Sequence, residues 1–253
     1  MARQAVEVLG IPIDFLDMES VTRQVVDVAW NRRFFQIATV NLDFLVHSRV
    51  DQEVGQILKS TAVNIADGAP VVWSGRILGC RQATRVAGAD LVPTLMGIAA
   101  DEGLRVFFLG GEHGSASEAA RRLSALHPHL EVSVLEPPRA ALEDMDDATI
   151  LGAIRTAQPH ILLVAFGHPK QDKWIHRHRN DLPMVAIGVG GSFDLIAGLH
   201  PRAPRWLQKV GLEWAFRLAH EPRRLAARYA TNGLWAVGAL LPWVIWRRIG
   251  WSN

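Results

Sequence analysis

The stretch Val63-Asn64-Ile65-Ala66-Asp67-Gly68-Ala69-Pro70 sets one carboxylate at a point suited to chemistry. A short β-branched run closed by Gly-Ala-Pro reads as a buried strand turning into a helix, with proline fitted to the helix's first turn. Asp67 then stands at the carboxyl end of a strand, where open α/β sheets take their ligands. A carboxylate there can draw a proton from a substrate as general base. The competing assignment is an N-cap for the following helix.

Three further clusters could contact a polar ligand. Val106-Phe107-Phe108-Leu109 runs into Gly110-Gly111-Glu112-His113-Gly114, a strand, turn and helix start whose free N–H groups can face a phosphate. The glycine spacing is not that of the full dinucleotide fingerprint. Gly188-Val189-Gly190-Gly191-Ser192-Phe193-Asp194 is a second glycine-rich turn after a strand. Phe166-Gly167-His168-Pro169-Lys170-Gln171-Asp172 puts Lys170 and Gln171 at a helix start, in reach of a phosphate or sugar hydroxyls. His168, His176 and His178 have basic neighbours and no carboxylate constellation, so they read as surface histidines rather than metal ligands. Asp144-Met145-Asp146-Asp147 reads as helix-start charge, and Cys80 as structural.

These clusters need a scaffold, and the pattern supplies one. Strands are expected over residues 6–13, 34–40, 63–66, 106–109, 132–135, 161–165 and 184–188. Helices fall between them, including one capped by Ser20, one over 51–60, one over 88–102 and one over 148–156. Alternation of this kind argues for an α/β protein with a mostly parallel sheet flanked by helices. After Pro201 the texture changes. No strand candidate follows, and six of the nine tryptophans (206, 214, 235, 243, 246 and 251) lie here with nine basic residues against two acids. Arg and Trp interleaved on helices suit an anionic membrane surface; an ordinary amphipathic helix on the core is the alternative. Residues 229–246 carry no charge but hold Gly233, Gly238 and Pro242, which favours a segment lying in the leaflet over one crossing it. The chain therefore divides into a catalytic region, 1–200, and a helical appendage, 201–253.

Bulk composition narrows the class. With 49% hydrophobic and 21% charged residues in 253, the chain is globular and long enough for a large core. The net charge is only +2, and its distribution, concentrated after Pro201, matters more than its sum; no nucleic-acid partner is expected. One cysteine excludes an internal disulfide and fits a reducing compartment, and the first residues lack a signal-peptide shape. A cytoplasmic protein is expected.

Six motifs in order carry a family resemblance: Thr39-Val40-Asn41-Leu42-Asp43; Ala66-Asp67-Gly68-Ala69-Pro70; Arg85-Val86-Ala87-Gly88-Ala89-Asp90-Leu91; Phe166 to Asp172; Gly188 to Asp194; and Arg202-Ala203-Pro204-Arg205-Trp206 through Gly211-Leu212-Glu213-Trp214 to Glu221-Pro222-Arg223-Arg224. The chain resembles the WecG/TagA/CpsF glycosyltransferases (family 26) over nearly its whole length. It departs mildly at Gly167-His168-Pro169 and in a long apolar tail beyond Arg228. The resemblance implies a Rossmann-like fold and an inverting, metal-independent transfer from a UDP-sugar to a polyprenyl-diphosphate-linked saccharide in cell-surface polysaccharide synthesis. It places the protein peripherally on the inner face of the bacterial plasma membrane, with no cofactor. At matching positions it implies Asp67 as base, and Thr39, Asn41, Arg85, Lys170 and Gln171 on the donor sugar or diphosphate. Gly110, Gly111, Gly190 and Gly191 line the nucleotide pocket, and Arg202, Arg223 and Arg224 meet the lipid diphosphate. The donor sugar stays open among glucose, N-acetylmannosamine and its uronic acid, as does self-association. A nucleotide-dependent oxidoreductase and a non-catalytic membrane-binding protein are the rival classes.

Overall fold

The computed structural model describes residues 5–250. The first motif is a hairpin rather than one long strand. β1 (Val6–Val8) and β2 (Ile11–Ile13) pair antiparallel around Leu9 and Gly10, which take φ of 54° and 82°. Two successive positive φ values make the tight turn that matches strand twist, and alternating apolar residues look alike in one strand or two. The helix α1 (Met18–Ala29) follows. Its cap is Asp17, whose carboxylate accepts from the Ser20 amide; Ser20, the expected cap, is inside the helix.

β3 (Phe35–Val40) leads to α2 (Leu42–Val50) and α3 (Gln52–Ser60), then β4 (Val63–Ala66), α4 (Ala69–Ile77) and α5 (Gly88–Glu102). β5 (Val106–Gly110), α6 (Ser115–Leu126), β6 (Val132–Leu135), α7 (Asp147–Ala157), β7 (Ile161–Ala165), α8 (Lys170–Arg177), β8 (Val185–Gly188) and α9 (Ser192–Ala197) complete the α/β unit. The six strands from β3 to β8 form one parallel sheet in the order β4-β3-β8-β7-β5-β6.

Both faces of this sheet are covered, which is why its central strands are apolar at nearly every position. Val21, Leu91, Leu95, Ala116 and Phe193 bring α1, α5, α6 and α9 onto one face. On the other, Phe44 and Leu45 of α2 and Val54 of α3 pack over Ala38 and Val40, while Ile150, Trp174 and Ile175 pack over Phe107 and Leu162. The neighbours β3 and β8 thus send their following helices, α2 and α9, to opposite faces. That reversal opens a crevice at the strands' carboxyl ends, the usual ligand position in such sheets. The free edge of β4 is blocked by Asp14, which bonds the Asn64 carbonyl through its amide and the Asn64 amide through its carboxylate, both at 2.8 Å.

The C-terminal segment holds helices and no strand among its described residues: α10 (Arg205–Lys209), α11 (Glu213–His220), α12 (Pro222–Trp235), a π-helical turn (Ala236–Leu240) and α13 (Leu241–Gly250). It folds back onto the sheet domain. Asn232 donates to Asp43 of α2 at 2.9 Å, and Leu240 and Val244 are buried beside Val8, Ile11 and Val71. Among the described residues no helix is long and apolar enough to cross a membrane. The tryptophans divide accordingly: Trp206, Trp214 and Trp246 are exposed, Trp235 and Trp243 lie against the core, and Trp251 falls outside the described residues.

Candidate active site

Asp67 extends the β4 ladder by one more bond, its amide donating to the Val40 carbonyl at 2.8 Å. Gly68 then takes φ 131°, a region closed to other residues, and turns the chain into α4. The cap of that helix is Gly68 and receives no side-chain bond. The Asp67 carboxylate is therefore not an N-cap. It faces Arg85 instead, with Arg85 Nε 3.3 Å from Oδ1, and its side chain stays 23% exposed. The loop carrying Arg85 is pinned to the same strand end, because the Val86 amide donates to the Ala66 carbonyl.

A second carboxylate completes the cluster. Arg85 Nη2 lies 2.8 Å from Glu213 Oε2, at the start of α11. Arg217, one helical turn on, adds positive charge beside Asp67, and its Nε is buried with no hydrogen-bond partner. Burial lifts the Asp67 carboxyl above the ordinary aspartate value; Arg85 opposes the rise and Glu213 adds to it. A carboxylate of raised pKa, still reachable from solvent and flanked by Arg85 and Arg217, can accept a proton while those arginines meet an anion.

The remaining expected residues gather around the end of β8. Thr39 donates its hydroxyl to the Gly188 carbonyl at 3.0 Å and so ties β3 to β8 across the crevice floor. Asn41 accepts from the Asp43 and Phe44 amides as the cap of α2, while its amide nitrogen has no partner among the described residues. Gln171 accepts from the Gly190 amide at 3.0 Å and is buried. Gly191 follows at the start of α9. Lys170 reaches the Ala140 carbonyl at 3.0 Å over the Phe166 ring, and burial lowers its ammonium below the usual lysine range.

The turn after β5 is tightly built. Gly110 and Gly111 both take φ 90°, and a Cβ on Gly110 would stand 2.8 Å from the Phe166 ring. The first turn of α6 already holds a carboxylate, since the Ser117 amide donates to Glu136 at 2.8 Å. The three tail arginines lie apart from Asp67 in bonding: Arg202 pairs with Asp90, Arg224 with Glu221, and Arg223 is exposed.

Two expectations need correction. The His168 side chain is buried, and so is His178, so neither is a surface histidine. His168 Nδ1 lies 2.9 Å from Asp172 and its ring stacks on Phe44, while His178 Nε2 lies 3.0 Å from Asp147. Each has a carboxylate partner that sequence proximity to basic residues concealed. Glu213 and Arg217 are the site residues that sequence reasoning passed over. Their i, i+4 spacing puts both on one face of α11, and Glu213 is one of only two acids in a basic tail; those were the available signals.

The structure thus combines a parallel α/β sheet, covered on both faces, with an acid–arginine cluster at the carboxyl ends of its strands. The sequence profile of the glycosyl transferase WecG/TagA/CpsF family matches residues 6–249, and the chain belongs to that family. It is 31% identical over 216 residues to an N-acetylglucosaminyldiphosphoundecaprenol N-acetyl-beta-D-mannosaminyltransferase of Bacillus subtilis (strain 168), covering 84% of this chain and 78% of that one. A protein of the same name from Bacillus spizizenii is 30% identical over 74% of this chain and 72% of its own. One from Staphylococcus aureus (strain MW2) is 27% identical over 87% and 86%.

Proposed function

We propose that this glycosyltransferase moves a sugar, with inversion, from a UDP-sugar to a hydroxyl of a polyprenyl-diphosphate-linked saccharide. The names of its relatives support N-acetylmannosamine as the transferred sugar and N-acetylglucosaminyl-diphosphoundecaprenol as the acceptor. The observation that carries the reading is Asp67: a solvent-reachable carboxyl of raised pKa at the crevice, with Arg85 and Arg217 beside it.

In the step, the acceptor oxygen bonds the anomeric carbon from the face opposite the leaving group. Its proton passes to Asp67, and the bond from that carbon to the phosphate oxygen breaks, UDP keeping the electron pair. Charge growing on the diphosphate is met by Arg85, Arg217 and Lys170, with Gly110, Gly111, Gly190 and Gly191 lining the nucleotide pocket beside it. Thr39, Asn41 and Gln171 hold the donor sugar in the crevice. We propose that Arg85 and Arg217 supply the positive charge at the diphosphate that a divalent ion would otherwise supply.

The acceptor's lipid requires a membrane. Trp206 and Trp246 are 64% and 68% exposed, Leu234, Val237, Leu241, Ile245 and Ile249 follow one another at helical spacing, and the segment is rich in arginine. Such a surface suits peripheral attachment to the anionic cytoplasmic face of a bacterial plasma membrane, with Arg202, Arg223 and Arg224 toward the lipid diphosphate. The test is UDP release by purified protein from UDP-N-acetylmannosamine, UDP-glucose and UDP-N-acetylmannosaminuronic acid, with and without a polyprenyl-diphosphate-N-acetylglucosamine acceptor. Acceptor-dependent release that survives EDTA is expected. Failure of every donor, or release abolished by EDTA and restored by a divalent ion, would overturn the reading or its metal-independent part respectively.

A further inference from the structure

Glu213 lies on a helix far from Asp67 in sequence, is only 9% exposed, and carries the closer contact to Arg85. The Arg85 guanidinium is thus divided: 2.8 Å from Glu213 Oε2 through Nη2, and 3.3 Å from Asp67 Oδ1 through Nε. We infer that Glu213 is a positioning residue, which draws Arg85 partly off Asp67 so that docking of α11 leaves the catalytic carboxylate free to take a proton. The inference rests on the assignment of Asp67 as base.

The electrostatics follow from which groups face Asp67. Arg85 comes from the loop before α5, Glu213 and Arg217 from α11, and the neutral Asn41 side from α2, against which Gly68 sits. An arginine wholly committed to one carboxylate stabilises its charged form and weakens it as a base. A second carboxylate on the same guanidinium offsets that effect and adds its own repulsion. Glu213 Oε2 also lies against Nη2, the nitrogen that a two-pronged contact with Asp67, the geometry arginine otherwise favours, would need.

The experiment is the pH profile of kcat/KM for Glu213→Gln and Glu213→Asp beside the wild type, with circular dichroism and thermal melting to confirm folding. Glu213→Gln is expected to move the acidic limb about one unit toward lower pH and to lower kcat near neutrality by about tenfold. Glu213→Asp keeps the charge but shortens the reach, and should shift the limb by less in the same direction. A purely structural role would lower the melting temperature and leave the limb in place. An unmoved limb in whichever variant folds overturns the inference. Asp67→Asn separates the two readings: wild-type turnover in that variant removes Asp67 as base, whereas an inactive Asp67→Asn with an unmoved Glu213 limb removes only the role of Glu213.

Discussion

Gln171 and Gly188 fit against one another with no room for a methyl group: a Cβ on Gly188 would stand 2.5 Å from Gln171 Nε2. The same glutamine receives the Gly190 amide, and the Gly188 carbonyl receives Thr39, so one contact locks three segments of the crevice floor. Gly188 has no positive φ, and the restriction is purely steric. Gly188→Ala should cost about 1–3 kcal/mol by overpacking. It should lower the melting temperature by several degrees and raise KM for the UDP-sugar, as melting curves and initial rates will report.

Asp67→Asn should reduce kcat by roughly 10²–10⁴, the usual share of a general base, while UDP-sugar binding persists by calorimetry. Its stability should move the other way. Because the native pKa is raised, the folded chain keeps this proton at pH values where the unfolded chain has released it. The group's favourable contribution is present below its unfolded pKa and is lost as pH rises through the native value. At pH 7 the asparagine variant should melt no lower than the wild type, an exchange of stability for activity.

Arg217 and Arg224 should separate by phenotype. Arg217, beside Asp67 and with its Nε buried, should on change to Ala lose about 1.5–3 kcal/mol of transition-state contact, roughly 10–150-fold in kcat/KM for the donor. Arg224 is paired with Glu221 on the exposed side of α12. Its alanine variant should raise KM for the lipid acceptor and leave donor binding by calorimetry unaltered.

Acid should act on the fold through His160. Burial, with Arg32 and Arg105 beside it, lowers its pKa to about 4, and its Nδ1 accepts from the Arg105 amide. Unfolded chains take up a proton here below about pH 6.5, while the native ring stays neutral to about pH 4. Stability from this group is thus lost as pH falls across that interval, by at most about 1.4 kcal/mol per unit. Urea melts at pH 7 and pH 4.5 should show a smaller acid penalty in His160→Asn, though that variant starts from lower stability.

Membrane attachment should depend on the exposed tail residues. Trp206→Ser with Trp246→Ser is expected to weaken sedimentation with vesicles containing anionic lipid, and high salt to weaken it further through the arginines. Binding by the double variant equal to the wild type's would remove these tryptophans from the contact.

The strands that form the parallel sheet were legible because each is a short apolar run closed by a turn, a pattern that a sheet buried on both faces imposes. Asp67 was legible for the same reason: an acid directly after such a run has to emerge at the strand's end. Distance in sequence hid the rest. Arg85 and Glu213 are brought together only by the packing of α11, and no local period encodes that contact. The hairpin at Leu9 and Gly10 escaped because two short strands alternate as one does. His168 and His178 escaped because their carboxylate partners, Asp172 and Asp147, looked like ordinary first-turn acids on α8 and α7.

Leu240 and Val244 make the last helices a keystone rather than a trailing anchor. They belong to one buried cluster with Val8, Ile11, Leu45 and Val71, aliphatic residues of the hairpin, α2 and α4. A protein cut at residue 200 would expose apolar residues of that cluster to water and would be expected to aggregate instead of serving as a minimal enzyme. During synthesis that cluster stays incomplete until Leu240 and Val244 have emerged, so its closure is a late step in folding.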